Sequence, residues 1–407
     1  MDAGAVRSVE WPHRGNCGPA YDRYTGLMEP IPSQRHRFSI PDEIHYLNCA
    51  YMSPLSHDVT DAITGGARRK QTPWTTFPAD FFSVSENFRS RAAQLVRVEA
   101  DSIAIVPSVS YALAVAARNL SVKRGQNIVT LADQFPSNVY VWRELAAERG
   151  AEVVAVMRDA NTCWTEAVLD AIGPDTAIVA VPHCHWADGR LVDLVAVGRK
   201  CRETGAALVL DLTQSLGALP VDFAEVQPDF AVAACYKWLM GPYGVGMLYI
   251  DPMHHQGQSI EHNWINRAGS EDFSRLVDYR DDFQPGARRF DMGEKSNPPL
   301  MMGAVAAFDF LLEFGVEAIA ETLAAKTDAI ADEAAAIGLT SVGRDVRAPH
   351  FLSLGFPEGV PDGLTERLAE ERVYVSLRGT SLRVTPHLYN EAADSAALIA
   401  TLRDCLG

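Results

Sequence analysis

Seven short apolar runs, all free of charged residues, recur between residues 102 and 250 of this chain. They cover 102–106, 128–131, 153–157, 177–181, 206–210, 230–235 and 245–250. Runs this apolar leave no polar side to turn towards water, so they read as strands buried on both faces. Helical stretches at 111–119, 138–149 and 194–204 fall between several of them, where crossover helices belong. The pattern predicts an α/β fold with a mainly parallel sheet between layers of helices. Ligands of such sheets gather outside the strand C-termini. There the sequence puts Ser108 and Ser110, Asp133, His183 and His185, Asp211, and Lys237.

The pattern changes near residue 297. Ala/Leu-rich helical segments at 301–314 and 319–337 precede the apolar Phe351-Leu-Ser-Leu-Gly-Phe. A polar helix at 362–371, a strand at 373–377 and a helix at 391–405 complete the chain. This mix reads as a smaller α+β domain. The expected organisation is an N-terminal arm over 1–45, rich in Pro, Gly and Arg, a large ligand-binding domain over 46–295, and the small domain over 296–407.

The 407 residues carry a formal net charge of −16. That balance disfavours nucleic acid and anionic membrane surfaces as partners. No apolar run approaches the ~20 residues of a membrane span, and the first residues lack the apolar stretch of a signal peptide. The seven cysteines are scattered and odd in number, which reads as reduced thiols in a cytoplasmic protein.

Lys237 stands in Ala-Ala-Cys-Tyr-Lys-Trp-Leu-Met-Gly-Pro, directly after a buried strand, and Asp211 ends another. An amine there is desolvated, which lowers its pKa and suits it to condense with a carbonyl. A lysine and an aspartate at two strand ends form the pair that pyridoxal phosphate needs. The amine makes the Schiff base, and the carboxylate keeps the pyridine nitrogen protonated. Ser108-Val-Ser-Tyr-Ala opens a helix after a strand, either as an anion cradle or as ordinary N-capping. Phe135 could lie over a flat ring or pack in a loop. Gln214 could bond the cofactor's phenolic oxygen or sit at the surface, and Tyr236 could bond a phosphate or pack in the core. His183 and His185 have no third ligand at a sensible spacing, so no metal site is expected. Arg383 could clamp a substrate carboxylate or form a structural salt bridge.

Together these stretches resemble the class V aminotransferase family of fold type I pyridoxal-phosphate enzymes. The resemblance runs from Tyr46-Leu-Asn-Cys-Ala-Tyr-Met-Ser-Pro-Leu to the C-terminal helix. It is strongest in Asp211-Leu-Thr-Gln-Ser-Leu-Gly, in Tyr236-Lys-Trp-Leu-Met-Gly-Pro-Tyr-Gly-Val-Gly and in Leu382-Arg-Val-Thr-Pro-His-Leu-Tyr-Asn. It implies that Lys237 carries pyridoxal 5'-phosphate, Asp211 meets the pyridinium nitrogen and Gln214 faces the phenolic oxygen. By the same resemblance Val109, Ser110 and Tyr236 hold the phosphate, and Arg383 holds the substrate α-carboxylate. It also implies a homodimer with its sites at the interface.

Phe135-Pro-Ser-Asn, Tyr236-Lys237 and Ser296-Asn-Pro-Pro look like kynureninase, which implies Phe135 on the ring and Asn297 at the substrate. Gln214 is similar to cysteine desulfurases and selenocysteine lyases instead. No cysteine lies between Thr340 and Arg383, where a desulfurase nucleophile would fall. Asp291-Met-Gly-Glu-Lys-Ser-Asn-Pro resembles epimerase-like and lyase-like members. The expected activity is therefore a lyase that cleaves a C–S or C–C side-chain bond of an α-amino acid without a persulfide cysteine. An aminotransferase or epimerase is the alternative.

Overall fold

The computed structural model describes residues 29–158 and 163–407. Seven strands form its main sheet: β1 (Ile103–Val106), β2 (Asn127–Leu131), β3 (Glu152–Val156), β4 (Thr176–Pro182), β5 (Ala207–Asp211), β6 (Phe230–Ala234) and β7 (Gly246–Ile250). Their order across the sheet is β1-β7-β6-β5-β4-β2-β3. Strands β2 to β6 run parallel, and β7 runs antiparallel to both β6 and β1. The expected mainly parallel sheet is present, and each strand begins and ends within one residue of its apolar run.

Successive side chains leave a strand on opposite faces. Val129, Leu131, Val179, Val181, Leu208 and Leu210 enter one apolar core, while Ile128, Ile178, Ala180 and Val209 enter another. Both faces are covered, which is why the runs have no polar side. Helices Val109–Asn119 and Tyr140–Arg149 pack in the second core through Leu113, Val115, Trp142 and Leu145. Helices Asp80–Val96, Leu194–Thr204 and Pro298–Phe314 pack in the first. No single helix among the described residues is long and apolar enough to cross a membrane.

A second, antiparallel sheet orders Ser376–Arg378, Ser381–Val384, Leu352–Gly355 and Thr340–Ser341. The single strand expected over 373–377 is divided between two sheets. Val373–Tyr374 pairs parallel with His45–Tyr46. Ser376–Arg378 instead turns back on Ser381–Val384 through Gly379, whose φ of 58° suits a glycine. Of the expected N-terminal arm, residues 1–28 lie outside the described residues. The rest docks on the C-terminal part: Gln34 N donates to Leu388 O at 2.9 Å, and Arg35 pairs with Asp394 at 3.3 Å.

A buried ion cluster ties β1 to the chain that follows the main sheet. Arg89, Asp291 and Lys295 are 0%, 1% and 1% exposed. Arg89 donates to both Asp291 oxygens, and Lys295 Nζ donates to Oδ2 at 2.8 Å. The Ile105 N–H adds a bond to Oδ1 at 2.8 Å. Burial acts to raise the Asp291 pKa, but Arg89 and Lys295 more than reverse it and hold the carboxyl below its ordinary range.

The cysteine expectation needs one correction. Cys49, Cys184, Cys201, Cys235 and Cys405 are free thiols, but Cys163 is disulfide-bonded. Its sulfur also sits at a helix start, where it accepts from Glu166 N at 3.5 Å.

Candidate active site

One cavity of about 300 Å³ opens at the C-terminal ends of the parallel strands. Most of its wall comes from chain segments that have just left the sheet, and Tyr243, Gly244 and Val245 come from the one that leads into β7. After β1, Ser108 caps helix Val109–Asn119: its Oγ accepts from Tyr111 N at 3.2 Å and lies 3.0 Å from Ser110 Oγ. Ser108 thus caps the helix at the cavity, and the first N–H groups of a helix have no partner within it. Ser108, Val109 and Ser110 all line the cavity.

Phe135 follows β2 and stands edge-on to Trp186, with ring centroids 5.7 Å apart. Trp186 follows β4 and is pinned by its indole N–H, which donates to Asp133 O at 2.7 Å. Asp211 closes β5 and lines the cavity. Its Oδ1 accepts from Thr213 N at 3.0 Å. Burial raises the Asp211 pKa, and neither Thr213 nor Lys237 offsets it fully.

Lys237, just past β6, is 7% exposed. Its Nζ lies 5.4 Å from the ring centroids of both Phe135 and Tyr236. Burial lowers its pKa to about 8, with Asp211 pulling the other way and Arg383 adding to the fall. About a tenth of the amine is thus unprotonated at pH 7, far more than of an ordinary lysine, and nucleophilic addition to a carbonyl requires that form. Tyr236 lines the cavity with its ring against Tyr243, at 4.6 Å. Gln214 lines it too, although Gln214 Nε2 already donates to Ala50 O at 3.1 Å.

The structure thus brings Val109, Ser110, Phe135, Asp211, Gln214, Tyr236 and Lys237 to one cavity. Two predicted residues stand apart from its lining. Arg383, on strand Ser381–Val384, is 2% exposed and reaches the back of Trp186, donating to Trp186 O at 3.0 Å. It has no carboxylate partner among the described residues, and its Nε makes no hydrogen bond, so the structural salt bridge is not what holds it. Asn297 is exposed and caps helix Pro298–Phe314 by accepting from Leu300 N at 3.2 Å.

His183 and His185 do not face the cavity. His185 Nδ1 meets Asp188 Oδ1 at 3.2 Å, and burial, then His350, lowers the His183 pKa to about 3. Cys184 between them does line the cavity, with its thiol donating to Gln214 O at 3.2 Å. Burial pushes that thiol pKa up, so it is not a thiolate nucleophile at neutral pH. Sequence reasoning missed Trp186, Cys184 and Thr213. Their place just beyond the ends of β4 and β5 was the available signal.

A mainly parallel sheet carrying a desolvated lysine and a buried aspartate at its ligand-binding edge defines a class of cofactor-binding enzyme. Residues 63–392 match the aminotransferase class-V family, and the chain belongs to it. The family is pyridoxal-phosphate-dependent, and pyridoxal 5'-phosphate is the cofactor. The chain is 27% identical over 380 residues to the uncharacterised aminotransferase YcbU of Bacillus subtilis, covering 89% of this chain and 95% of that protein. It is 27% identical over 318 residues to kynureninase of Burkholderia mallei, covering 74% and 73%. Among solved structures, a C-DES mutant with glycine covalently linked to its pyridoxal-phosphate cofactor matches with a TM-score of 0.81. The identity there is 18%, over 91% of this chain and 99% of that one. Cysteine desulfurase from Thermococcus onnurineus NA1 matches with a TM-score of 0.77 at 19% identity, over 93% and 99%. The shared architecture is fold type I.

Proposed function

We propose that this cavity is the active site of a lyase that cleaves a C–S or C–C side-chain bond of an α-amino acid. The observation that carries the reading is the pairing of Lys237 and Asp211 at one cavity: a buried amine whose pKa burial lowers to about 8, and a buried carboxyl whose hydrogen bonds come from Thr213. The donor set fits pyridoxal phosphate. Val109 and Ser110 offer helix-start N–H groups to a phosphate, with Tyr236 beside them. Asp211 offers a carboxyl to a pyridine nitrogen, Phe135 a ring face, and Lys237 the amine that joins the carbonyl. When bound, the cofactor supplies an electron-withdrawing ring that takes up charge from the substrate's Cα.

The remaining roles belong to this chain's own side chains. Lys237 serves as the base that takes and returns the proton at Cα, with a pKa close to neutral pH as such a role favours. Asp211 holds the proton on the pyridine nitrogen. Arg383, fully charged and without a carboxylate partner, orients the substrate carboxylate. Phe135 and Trp186 keep water from the reacting face. No cysteine is asked to carry sulfur. Cys184 is engaged with Gln214 O, and the stretch between Thr340 and Arg383 has none.

The reading includes a cytoplasmic homodimer, with domains divided near 45/46 and 295/296. Asn297 then serves the partner's site rather than its own. Tyr51, Tyr243 and Trp264, at 56%, 69% and 42% exposed, supply apolar surface for such an interface. The cytoplasmic placement rests on the five free thiols, and the Cys163 disulfide counts against it.

Aminotransferase is the second reading, favoured by the coverage of YcbU. The two are separated by incubating holoenzyme with single amino acids and no keto-acid acceptor. A lyase releases side-chain product over many turnovers. Product limited to one equivalent per site, restored by adding a keto acid, would establish transamination instead.

A further inference from the structure

Gln214 is held from four directions. Its backbone oxygen accepts from Cys184 Sγ at 3.2 Å and from His350 Nε2 at 2.7 Å. Its Nε2 donates to Ala50 O at 3.1 Å, and its Oε1 accepts from Trp238 Nε1 at 3.0 Å. The last of these bonds decides the chemistry. An amide end can be reversed, but an indole N–H is only a donor and a backbone carbonyl is only an acceptor. Trp238 therefore forces oxygen to its own side, Ala50 forces nitrogen to the other, and the two agree. One Nε2 hydrogen is left over, on a side chain that lines the cavity.

Trp238 is itself locked. It is 0% exposed, and its ring meets the His350 ring edge-on at 4.3 Å. A Cβ at Gly217, whose φ is 99°, would lie 2.4 Å from Trp238 O. Only glycine permits this approach, which welds the turn Asp211-Leu-Thr-Gln-Ser-Leu-Gly to the segment carrying Lys237.

We propose that Trp238 is a positioning residue: it fixes the Gln214 amide so that the cavity meets an N–H donor and never a carbonyl oxygen. The atom so recognised is an acceptor oxygen on the cofactor ring. The inference rests on the proposed reading in which Gln214 faces the phenolic oxygen.

The test is a competition started from holoenzyme. Pyridoxal phosphate and its 3-deoxy analogue, which lacks that oxygen, are equilibrated with the protein and fixed by borohydride. The two pyridoxyl adducts differ by one oxygen atom and are counted by mass spectrometry. A purely structural loss weakens both compounds alike and leaves their ratio unchanged. Trp238→Phe is expected to lower the preference for pyridoxal phosphate by about three- to tenfold, the worth of one hydrogen bond. Gln214→Ala should lower it at least as far, and the double variant no further than Gln214→Ala alone.

An unchanged ratio in Trp238→Phe, or additive losses in the double variant, would overturn the inference while leaving the Gln214 reading intact. An unchanged ratio in Gln214→Ala would remove that reading, and the inference with it. Should Trp238→Phe not fold, Gln214→Glu reads the same constraint. Trp238 then engages one carboxyl oxygen, the other gives its only hydrogen to Ala50 O, none is left for the cavity, and the preference falls below that of Gln214→Ala. A parental preference in Gln214→Glu would also overturn the inference.

Discussion

Two buried lysine–aspartate pairs stand in this chain, and they do opposite things. Lys295 and Asp291 are joined at 2.8 Å and share Arg89, whereas among the described residues nothing accepts a hydrogen bond from the Lys237 amine. Asp291 collects donors from Arg89, Lys295 and the Ile105 N–H, and its carboxyl is held low. Asp211 takes a backbone bond from Thr213, and burial leaves its carboxyl high. Burial is nearly the same at both sites, so burial does not distinguish them. Saturation does: the first cluster has used its hydrogen-bonding capacity internally, and the second has capacity left to spend on a ligand.

The largest expected contrast lies between the lysines. Lys237→Ala should abolish turnover by several orders of magnitude and leave the melting temperature of the cofactor-free protein unchanged or higher. Lys295→Met should do the reverse, lowering the melting temperature while each folded molecule keeps its turnover. Equal effects in thermal melts and active-site-normalised assays would erase the distinction.

The aspartates should divide the same way. Asp211→Ala is expected to slow the chemical step by about a thousandfold, roughly 4 kcal/mol of barrier. Asp291→Ala leaves Lys295 a buried charge without its partner and Arg89 with only the partly exposed Glu86, a loss of about 3–5 kcal/mol in stability measurable by urea unfolding. A stable Asp291→Ala protein would mean that the cluster is not the strut described here.

Arg383 sharpens the comparison because it too is buried without a carboxylate. Arg383→Lys keeps the charge and loses the fork, and should lower kcat/KM by about ten- to a hundredfold. Visible absorbance of the bound cofactor should not change. Loss of cofactor in this variant would mark Arg383 as structural.

The smallest effect is in reactivity towards cyanate once the cofactor is removed. With its pKa lowered to about 8, Lys237 is protonated and inert below that pH and reactive above it. Its carbamylation rate should rise with a midpoint near 8, while ion-paired Lys295 stays unmodified. A Lys237 midpoint near that of an ordinary lysine would mean the amine is solvated.

The sheet was legible in the sequence because strands covered on both faces must be apolar throughout, and few other elements are. Helices His57–Arg69 and Asp80–Val96 were not. The first buries only the small or short Val59 and Gly66 on its inner face, and the second keeps Arg89 inside for the ion cluster, which interrupts its apolar stripe. Seven of the residues that line the cavity were legible because each lies at or shortly after a strand end. Lys295 was not, because Arg89, the third member of its cluster, is distant in sequence and the run Asp291-Met-Gly-Glu-Lys reads only as a motif variant. Trp238, next to Lys237, has no role that the sequence alone reveals. An indole donor acquires meaning only when its acceptor, Gln214 Oε1, is seen.

On this reading the unsaturated pair, and not the saturated one, holds the cofactor. Borohydride reduction of the holoenzyme followed by peptide mass spectrometry tests it most directly. One pyridoxyl group per chain is expected, on Lys237 within Ala-Ala-Cys-Tyr-Lys-Trp-Leu-Met. A pyridoxyl group on Lys295, or on any other lysine, would contradict it.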